Sequence, residues 1–364
     1  IEEEESISYG QEQFDAIQLA LQSKVMILTG GPGTGKTTVI KGIIKAFAAI
    51  HHLSTNLHEY EYQDEFPFIL TAPTGRAAKR LNESTGMPAT TIHRLLGWNG
   101  QDSFEKDEHE RLKGKFLIVD EFSMVDIWLA NHLFKAIPDD MQVLLVGDED
   151  QLPSVGPGQV LSDLISMGLI PMLSLTEVYR QKEGSKIIQL AHHIRNDICT
   201  IDDLANDRDF SFIPCREHQV IDVITQIFQR AHAKGINMKE IQVLAPMYKT
   251  RAGITEINKR LQEIVNPYSR QKRQKRFHDV VYRVGDKVIQ LVNQPEDGVS
   301  NGDIGEIVAI FEEQETLTNR SKSSSYLMKK KSFTSVKIIV ILCMLIVSRF
   351  INLRGVNFQL SFSQ

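Results

Sequence analysis

Short, largely apolar runs recur along the first half of the chain, each ending in polar or glycine-rich sequence. They are Val25–Leu28, Phe68–Ala72, Phe116–Val119 and Met141–Val146. Runs of this length without alternation predict strands buried on both faces, as in parallel α/β sheets. Between them the apolar residues take helical spacing. Gln11–Leu21, Val39–Ile50 and a basic start at Thr74–Leu81 predict helices. Leu173–Gln181 predicts a fifth strand, which ends at Arg180. Residues 51–66 are rich in His, Glu and Tyr and predict a surface loop. Residues 98–115 are polar, with Trp98 and Phe104 as their aromatics, and suggest a short hairpin inserted between core elements.

The pattern continues more weakly. Ile187–Ile194, Val220–Phe228 and Ile254–Val265 predict helices, residues 199–218 are irregular, and Gln242–Tyr248 reads as a strand. This is a second α/β unit without a glycine-rich loop of its own. From Pro267 the texture changes to short strands and turns, Val280–Ile289 and Asn301–Val308, which suggests a small β-barrel.

At 364 residues there is room for two or three domains. The formal net charge of −5 creates no global basic field, so a nucleic-acid groove has to be local. Cys199, Cys215 and Cys343 have no metal-ligand spacing and form no disulfide framework, which fits a reducing cytosol and a cytoplasmic protein. The chain starts at Ile1 inside an acidic run, which reads as a fragment lacking an N-terminal portion.

The chemistry concentrates at the carboxyl ends of the predicted strands, where parallel sheets place ligands. After Val25–Leu28 comes Thr29-Gly30-Gly31-Pro32-Gly33-Thr34-Gly35-Lys36-Thr37-Thr38, a P-loop in its proper context of strand, turn and helix. Gly30–Gly35 let backbone N–H groups turn toward phosphate oxygens, and the following helix adds its positive dipole end. Lys36 is placed to reach β- and γ-phosphates, and Thr37 to hold Mg²⁺. Phe116–Val119 ends in Asp120-Glu121. There Asp120 is a magnesium ligand and Glu121 the group that polarises the attacking water, or else the pair caps the next helix. Gln151 follows the Met141–Asp148 run as an uncharged sensor of a γ-phosphate. Arg180 is either an arginine finger or a surface ion-pair partner. Gln13 either reads an adenine edge or is a solvated helix residue. The basic residues of Thr74–Leu81 and Thr90–Leu96 are either a solvated face or phosphate-backbone contacts.

Together these segments resemble the RecD-like branch of the superfamily 1 DNA helicases over roughly residues 10–312. The matching pieces, in the family's order, are Glu12–Ile17, Gly30–Thr38, Ala72–Arg80, Asp120–Val125, Gly147–Val155 and Tyr179–Gln181. Thr91–Gly97, Leu244–Tyr248 and Asn301–Gly305 also fit. The resemblance implies an α/β P-loop NTPase fold with tandem RecA-like domains, the second incomplete, and an SH3-like β-barrel insertion. It implies a first RecA-like domain at 1–195 with a strand-splitting hairpin near 98–112, the start of a second at 196–266, and the SH3-like insertion at 267–312. It also implies ATP and Mg²⁺ as cofactors, single-stranded DNA as partner, 5′–3′ translocation, and a role in DNA repair or recombination. Residue by residue, Gln13 would contact adenine, and Gln151 and Arg180 the γ-phosphate. Pro73, Thr74, Arg76, His93 and Arg94 lie in segments that touch DNA. A P-loop ATPase that switches without translocating, the helicase part of a conjugative relaxase, and a non-functional fragment are the alternatives.

The resemblance stops near Phe311. A segment like HKSQGSE and a second arginine motif are expected beyond it, and neither is present. Ile338–Val347 is apolar, but its ten residues fall short of the roughly 20 that span a bilayer, so no membrane is expected. Residues 344–358 admit a coding sequence whose displaced frame reads A-Y-C-V-S-I-H-K-S-Q-G-S-E-F. The expectation is that 313–364 is a frameshifted tail, which sequencing the coding DNA tests.

Overall fold

The computed structural model describes residues 7–31, 33–60, 65–100, 103–176, 185–237, 240–245, 247–277, 279–290 and 304–310, with two tripeptides at 336–338 and 359–361. The chain divides into two compact units, Ile1–Lys182 and Glu183–Gln364.

In the first unit the elements alternate. They run α1 (Gln11–Gln22), β1 (Val25–Gly30), α2 (Lys36–Ile50), β2 (Phe68–Ala72), α3 (Gly75–Thr85), β3 (Ala89–Thr91), α4 (Ile92–Leu95) and β4 (Phe116–Val119). Then follow α5 (Ile127–Ala136), β5 (Gln142–Gly147), α6 (Val160–Met167) and β6 (Met172–Leu175). The six strands form one sheet in the order β3-β2-β4-β5-β1-β6. Every neighbouring pair is parallel, with Ile27 opposite Leu145 and Ile118 opposite Leu144.

The largely apolar runs have a direct structural cause. Successive strand residues point to opposite faces, and both faces are covered. Leu28, Leu70, Ile118, Leu144 and Val146 pack with Ala16, Ile40, Ile43 and Phe47 of α1 and α2. Ile27, Leu117, Val119, Val143 and Leu145 pack with Leu129 and Leu133 of α5 and Leu161 of α6. A polar residue at any of these strand positions would be stranded in one layer or the other.

Helix starts are fixed by side-chain caps. Thr74 Oγ1 accepts from Ala77 N (3.2 Å), Thr91 Oγ1 from Arg94 N (3.3 Å) and Asp126 Oδ1 from Leu129 N (2.8 Å). Gly86 closes α3 in the left-handed conformation, where a side chain is strained.

The described residues of 98–115 contain no regular strand, but Asn99 N donates to Ser103 O and Glu105 N to Gly97 O (3.3 Å each) across the segment. Trp98 and Phe104 of this segment also pack against Trp128 of α5. The surface loop at 51–66 carries one turn of 3₁₀ helix, Leu57–Tyr60.

The second unit contains α7 (Lys186–Arg195), β7 (Phe210–Phe212), α8 (Val220–Ala233), α9 (Ile254–Val265), β8 (Gln274–Phe277) and β9 (Val280–Arg283). Beyond these lie β10 (Lys287–Gln290), β11 (Ile304–Glu306), β12 (Val336–Ile338) and β13 (Gln359–Ser361). Val220, Ile224 and Phe228 of α8 pack with Val243, Ile257 and Leu261.

The strand expected at Gln242–Tyr248 is not formed in its described residues. Val243 is buried as a strand residue would be. However, a strand exists only through its ladder, and among the described residues none pairs with this segment. The short strands after Pro267 do form. β8 pairs antiparallel with β9, and β10 with β11 and β12. β13 pairs with β7. Of the apolar run Ile338–Val347, all but Ile338 lies outside the described residues. Among the described residues no helix is long and apolar enough to cross a membrane.

A polar joint ties α9 to the β9–β10 turn. Buried Asp286 accepts from Asn266 Nδ2 and Gln262 Nε2 (2.7 Å each) and from Arg283 N (2.6 Å). Three donors on one carboxylate satisfy its buried charge, as such burial requires.

Candidate nucleotide site

Gly30 ends β1 beside β6. A Cβ there would lie 2.8 Å from Leu175 O and 2.9 Å from Thr34 Oγ1, so the close approach of loop to strand needs glycine. Gly33 and Gly35 have φ of +84° and +87°, and Gly35 caps α2 from the left-handed region. Lys36 is the first residue of α2. Its Nζ donates to Gly30 O and, at 3.0 Å, to Gly31 O. Thr34 Oγ1 also donates to Gly31 O (2.9 Å). Lys36 is thus bent back over its own loop, with its charge held where the loop carbonyls converge. Thr37 is exposed in the first turn of α2, and Thr38 is half-buried. Pro32 lies outside the described residues.

Asp120 and Glu121 leave the carboxyl end of β4. The Asp120 backbone N–H bonds Thr71 O of β2 (2.9 Å), and Asp120 Oδ1 accepts from Glu121 N (2.9 Å). Burial, and then the Glu121 charge, push the Asp120 carboxyl up from 3.8 to about 6. The Glu121 N–H and the Lys36 charge oppose that rise. The P-loop lysine and the strand-end carboxylate therefore feel one another. Glu121 has φ of +52°, a left-handed conformation that is uncommon for a non-glycine residue and tends to mark functional sites. Completely buried Phe122 follows it and anchors the turn.

At the end of β5, buried Asp148 accepts from Asp150 N (3.2 Å) and from Gln151 Nε2 (3.3 Å). Asp148 thus orients the sensor candidate Gln151. Sequence reading treated it only as the end of a strand; an acid directly after an apolar run and a glycine was the available signal. Glu12, at the start of the matching piece Glu12–Ile17, has a contact that its sequence context does not reveal. Its carboxylate accepts from both the N–H and the hydroxyl of Thr176, fastening α1 to the end of β6.

Gln13 is buried, and its Oε1 accepts from Gly10 N (3.1 Å). It is therefore part of the cap of α1 rather than a solvated helix residue. Arg180 lies outside the described residues. Lys36, Asp120 and Gln151 all stand at the carboxyl ends of the adjacent strands β4, β5 and β1.

The candidate DNA segments follow β2 and β3. Pro73 and Thr74 lead into α3, on which Arg76 is exposed, and His93 and Arg94 belong to α4. Burial pulls the His93 imidazole below its usual range, and nearby Asp126 partly offsets this. Thr71 Oγ1 donates to Thr90 O (2.9 Å) and fixes the two segments side by side.

Among the described residues no group of three or more His, Cys, Asp or Glu could hold a metal ion by itself. A magnesium ion carried by a nucleotide needs only one or two protein ligands and takes the rest from phosphates and water. The Asp120 carboxylate and the Thr37 hydroxyl suit that requirement.

Residues 13–157 match a family model described as an AAA domain. Residues 257–319 match one described as the ATP-dependent RecD-like DNA helicase SH3 domain. The chain is 33% identical over 298 residues to the ATP-dependent RecD2 DNA helicase of Deinococcus radiodurans, covering 82% of this chain and 38% of that protein. It is 37% identical over 170 residues to the RecBCD enzyme subunit RecD of Mycobacterium tuberculosis, covering 42% of this chain and 28% of that one. The chain thus spans well under half the length of these curated relatives. A crystal structure of Bacteroides Pif1 bound to single-stranded DNA is similar with a TM-score of 0.50 at 20% identity, covering 84% of this chain and 70% of that one. That likeness shows the fold alone. The P-loop at the tip of a parallel sheet, the two family models and the RecD relatives agree, and over these regions the chain is similar to the RecD-like DNA helicases.

Proposed function

We propose that this chain carries the ATP-binding part of an ATP-dependent DNA helicase that moves 5′ to 3′ on single-stranded DNA, in DNA repair or recombination in the cytoplasm. The observation that carries this reading is the convergence of Lys36, Asp120 and Gln151 at the carboxyl ends of three adjacent strands. Gly30–Thr38 bind the phosphates through loop N–H groups, Lys36 neutralises the β- and γ-phosphates, and Gln13 meets the adenine. Thr37 and Asp120 hold Mg²⁺, which neutralises charge on the transferring phosphoryl group. Glu121 takes a proton from the attacking water, and Gln151, oriented by Asp148, reports the γ-phosphate. Arg180 supplies charge to the same phosphate. Pro73, Thr74, Arg76, His93 and Arg94 contact the strand.

We assign residues 196–266 to the start of a second RecA-like domain, 267–312 to an SH3-like insertion and 313–364 to a tail read in a displaced frame. The alignment with the RecD2 helicase over 298 residues supports the first assignment, and the SH3-domain match at 257–319 the second. On this account the chain binds Mg-ATP but unwinds no DNA. ATPase assays with and without oligo-dT test it, on this chain and on a frame-restored, extended one. Oligo-dT stimulates the restored protein and has little effect on this chain. A restored protein with no DNA stimulation is a P-loop switch rather than a translocase. A soluble 364-residue chain that unwinds a 5′-tailed duplex overturns the assignment of the tail.

A further inference from the structure

The chain contains two tryptophans, Trp98 and Trp128. They meet edge to face at 5.5 Å between ring centroids. Phe104 lies 4.9 Å from Trp98 and 5.1 Å from Trp128. His132 is 4.7 Å from Phe104 and 4.8 Å from Trp128, and His93 is 6.0 Å from both Trp98 and Phe104. The rings come from α4, the loop after it and the first two turns of α5.

This cluster is not an ordinary piece of core. Phe104 packs on the buried cluster beneath the sheet. Trp128, however, keeps 38% of its surface, and its sequence neighbours Met124 and Ile127 keep 44% and 53%. An exposed cation, Arg94 of α4, directly follows His93, whose ring lies against Trp98 and Phe104. Arg76 opens α3 after the carboxyl end of β2, but α3 packs on the other face of the sheet from the rings, so of the two it is Arg94 that lies on the rings' own face. Acidic residues of the intervening loop are partly neutralised locally. Glu110 pairs with Lys106 (2.6 Å), Glu108 with Lys135 (3.5 Å), and Asp107 accepts the N–H groups of His109 and Glu110.

We propose that Trp128, with Trp98 and Phe104, is a stacking platform for the unpaired bases of single-stranded DNA, whose phosphates are met by Arg94. The proposal rests on the single-strand reading above and gives it a mode of contact. Aromatic rings beside basic residues are the combination that binds single strands without sequence readout. Bases in a duplex are already stacked on one another, so the platform discriminates single strands from duplex.

Because both tryptophans lie in the platform, intrinsic tryptophan emission reports on this site and no other. The 364-residue chain is titrated with oligo-dT. Binding is followed separately by the anisotropy of a labelled oligo-dT. Tryptophan emission falls saturably with the same midpoint as the anisotropy, and a blunt duplex quenches far less. Trp128→Leu, checked for folding by circular dichroism, weakens binding roughly 5- to 150-fold, the range expected for one lost base stack. Trp128→Phe, which keeps a ring, loses less. An anisotropy rise with unchanged tryptophan emission and parental affinity in Trp128→Leu overturns the platform, leaving the cluster as packing for the 98–115 loop. Equal quenching by duplex also overturns it. No anisotropy rise at all removes the single-strand reading itself, a different failure.

Discussion

Asp120→Asn stabilises the first unit at neutral and alkaline pH. A free Asp side chain titrates near 3.8, and in the fold the Asp120 carboxyl is pushed up to about 6 by burial and the Glu121 charge. Between those two values the folded protein holds a proton that the unfolded chain has released. Stability therefore falls as pH rises through this window, and the full cost is present above pH 6. The difference corresponds to about 3 kcal/mol. Asparagine removes the charge and keeps an oxygen able to accept the Glu121 N–H. For a unit of this size that stabilisation raises the melting temperature by roughly 6–12 °C at pH 8. At pH 5 the advantage narrows to about half. Thermal unfolding of both proteins by circular dichroism at the two pH values is the assay. An Asn variant that melts at or below the parent at pH 8, or a gap independent of pH, refutes the buried-charge argument. The stability gained is the cost the native chain bears for keeping an ionised group at the tip of β4.

Other expectations follow from the same geometry. Glu121→Gln retains Mg-ATP binding and blocks turnover in a frame-restored protein, because the amide keeps the shape and loses the charge that polarises water; hydrolysis at the parental rate removes Glu121 from that role. Asp286→Ala leaves Asn266 Nδ2, Gln262 Nε2 and Arg283 N without their shared acceptor. It should destabilise the second unit by roughly 3 kcal/mol in a denaturant titration, and a change below about 0.5 kcal/mol would show the joint to be incidental.

Most of the first unit could be read from the sequence because its strands are buried on both faces. Ile27 and Leu28 serve different core layers, so the run cannot be interrupted, and such runs end where the chemistry begins. Asp120, Glu121 and the P-loop were visible for that reason. Asp148 was not, since its role is to orient Gln151, a contact that only the turn geometry reveals. In the 98–115 segment Trp98 and Phe104 pack on α5, a long-range contact with no local period that a sequence does not disclose. Gln242–Tyr248 failed in the opposite direction. Its composition favours a strand, but pairing is a property of neighbours, and Val243 found a helical layer without a ladder. Arg180 and nearly all of the tail lie outside the described residues, and their assignments stay proposals.

The central claim is that Lys36, in the loop after β1, binds the phosphates of Mg-ATP. Titrating the 364-residue chain and its Lys36→Ala variant with a fluorescent ATP analogue in the presence of Mg²⁺ tests it most directly. Losing a charge-assisted contact costs about 1.5–3 kcal/mol, roughly 10- to 150-fold in affinity. The account predicts saturable binding by the parent that is weakened by that factor or abolished in the variant. Equal affinity in the two proteins, or no binding by a folded parent, would contradict it.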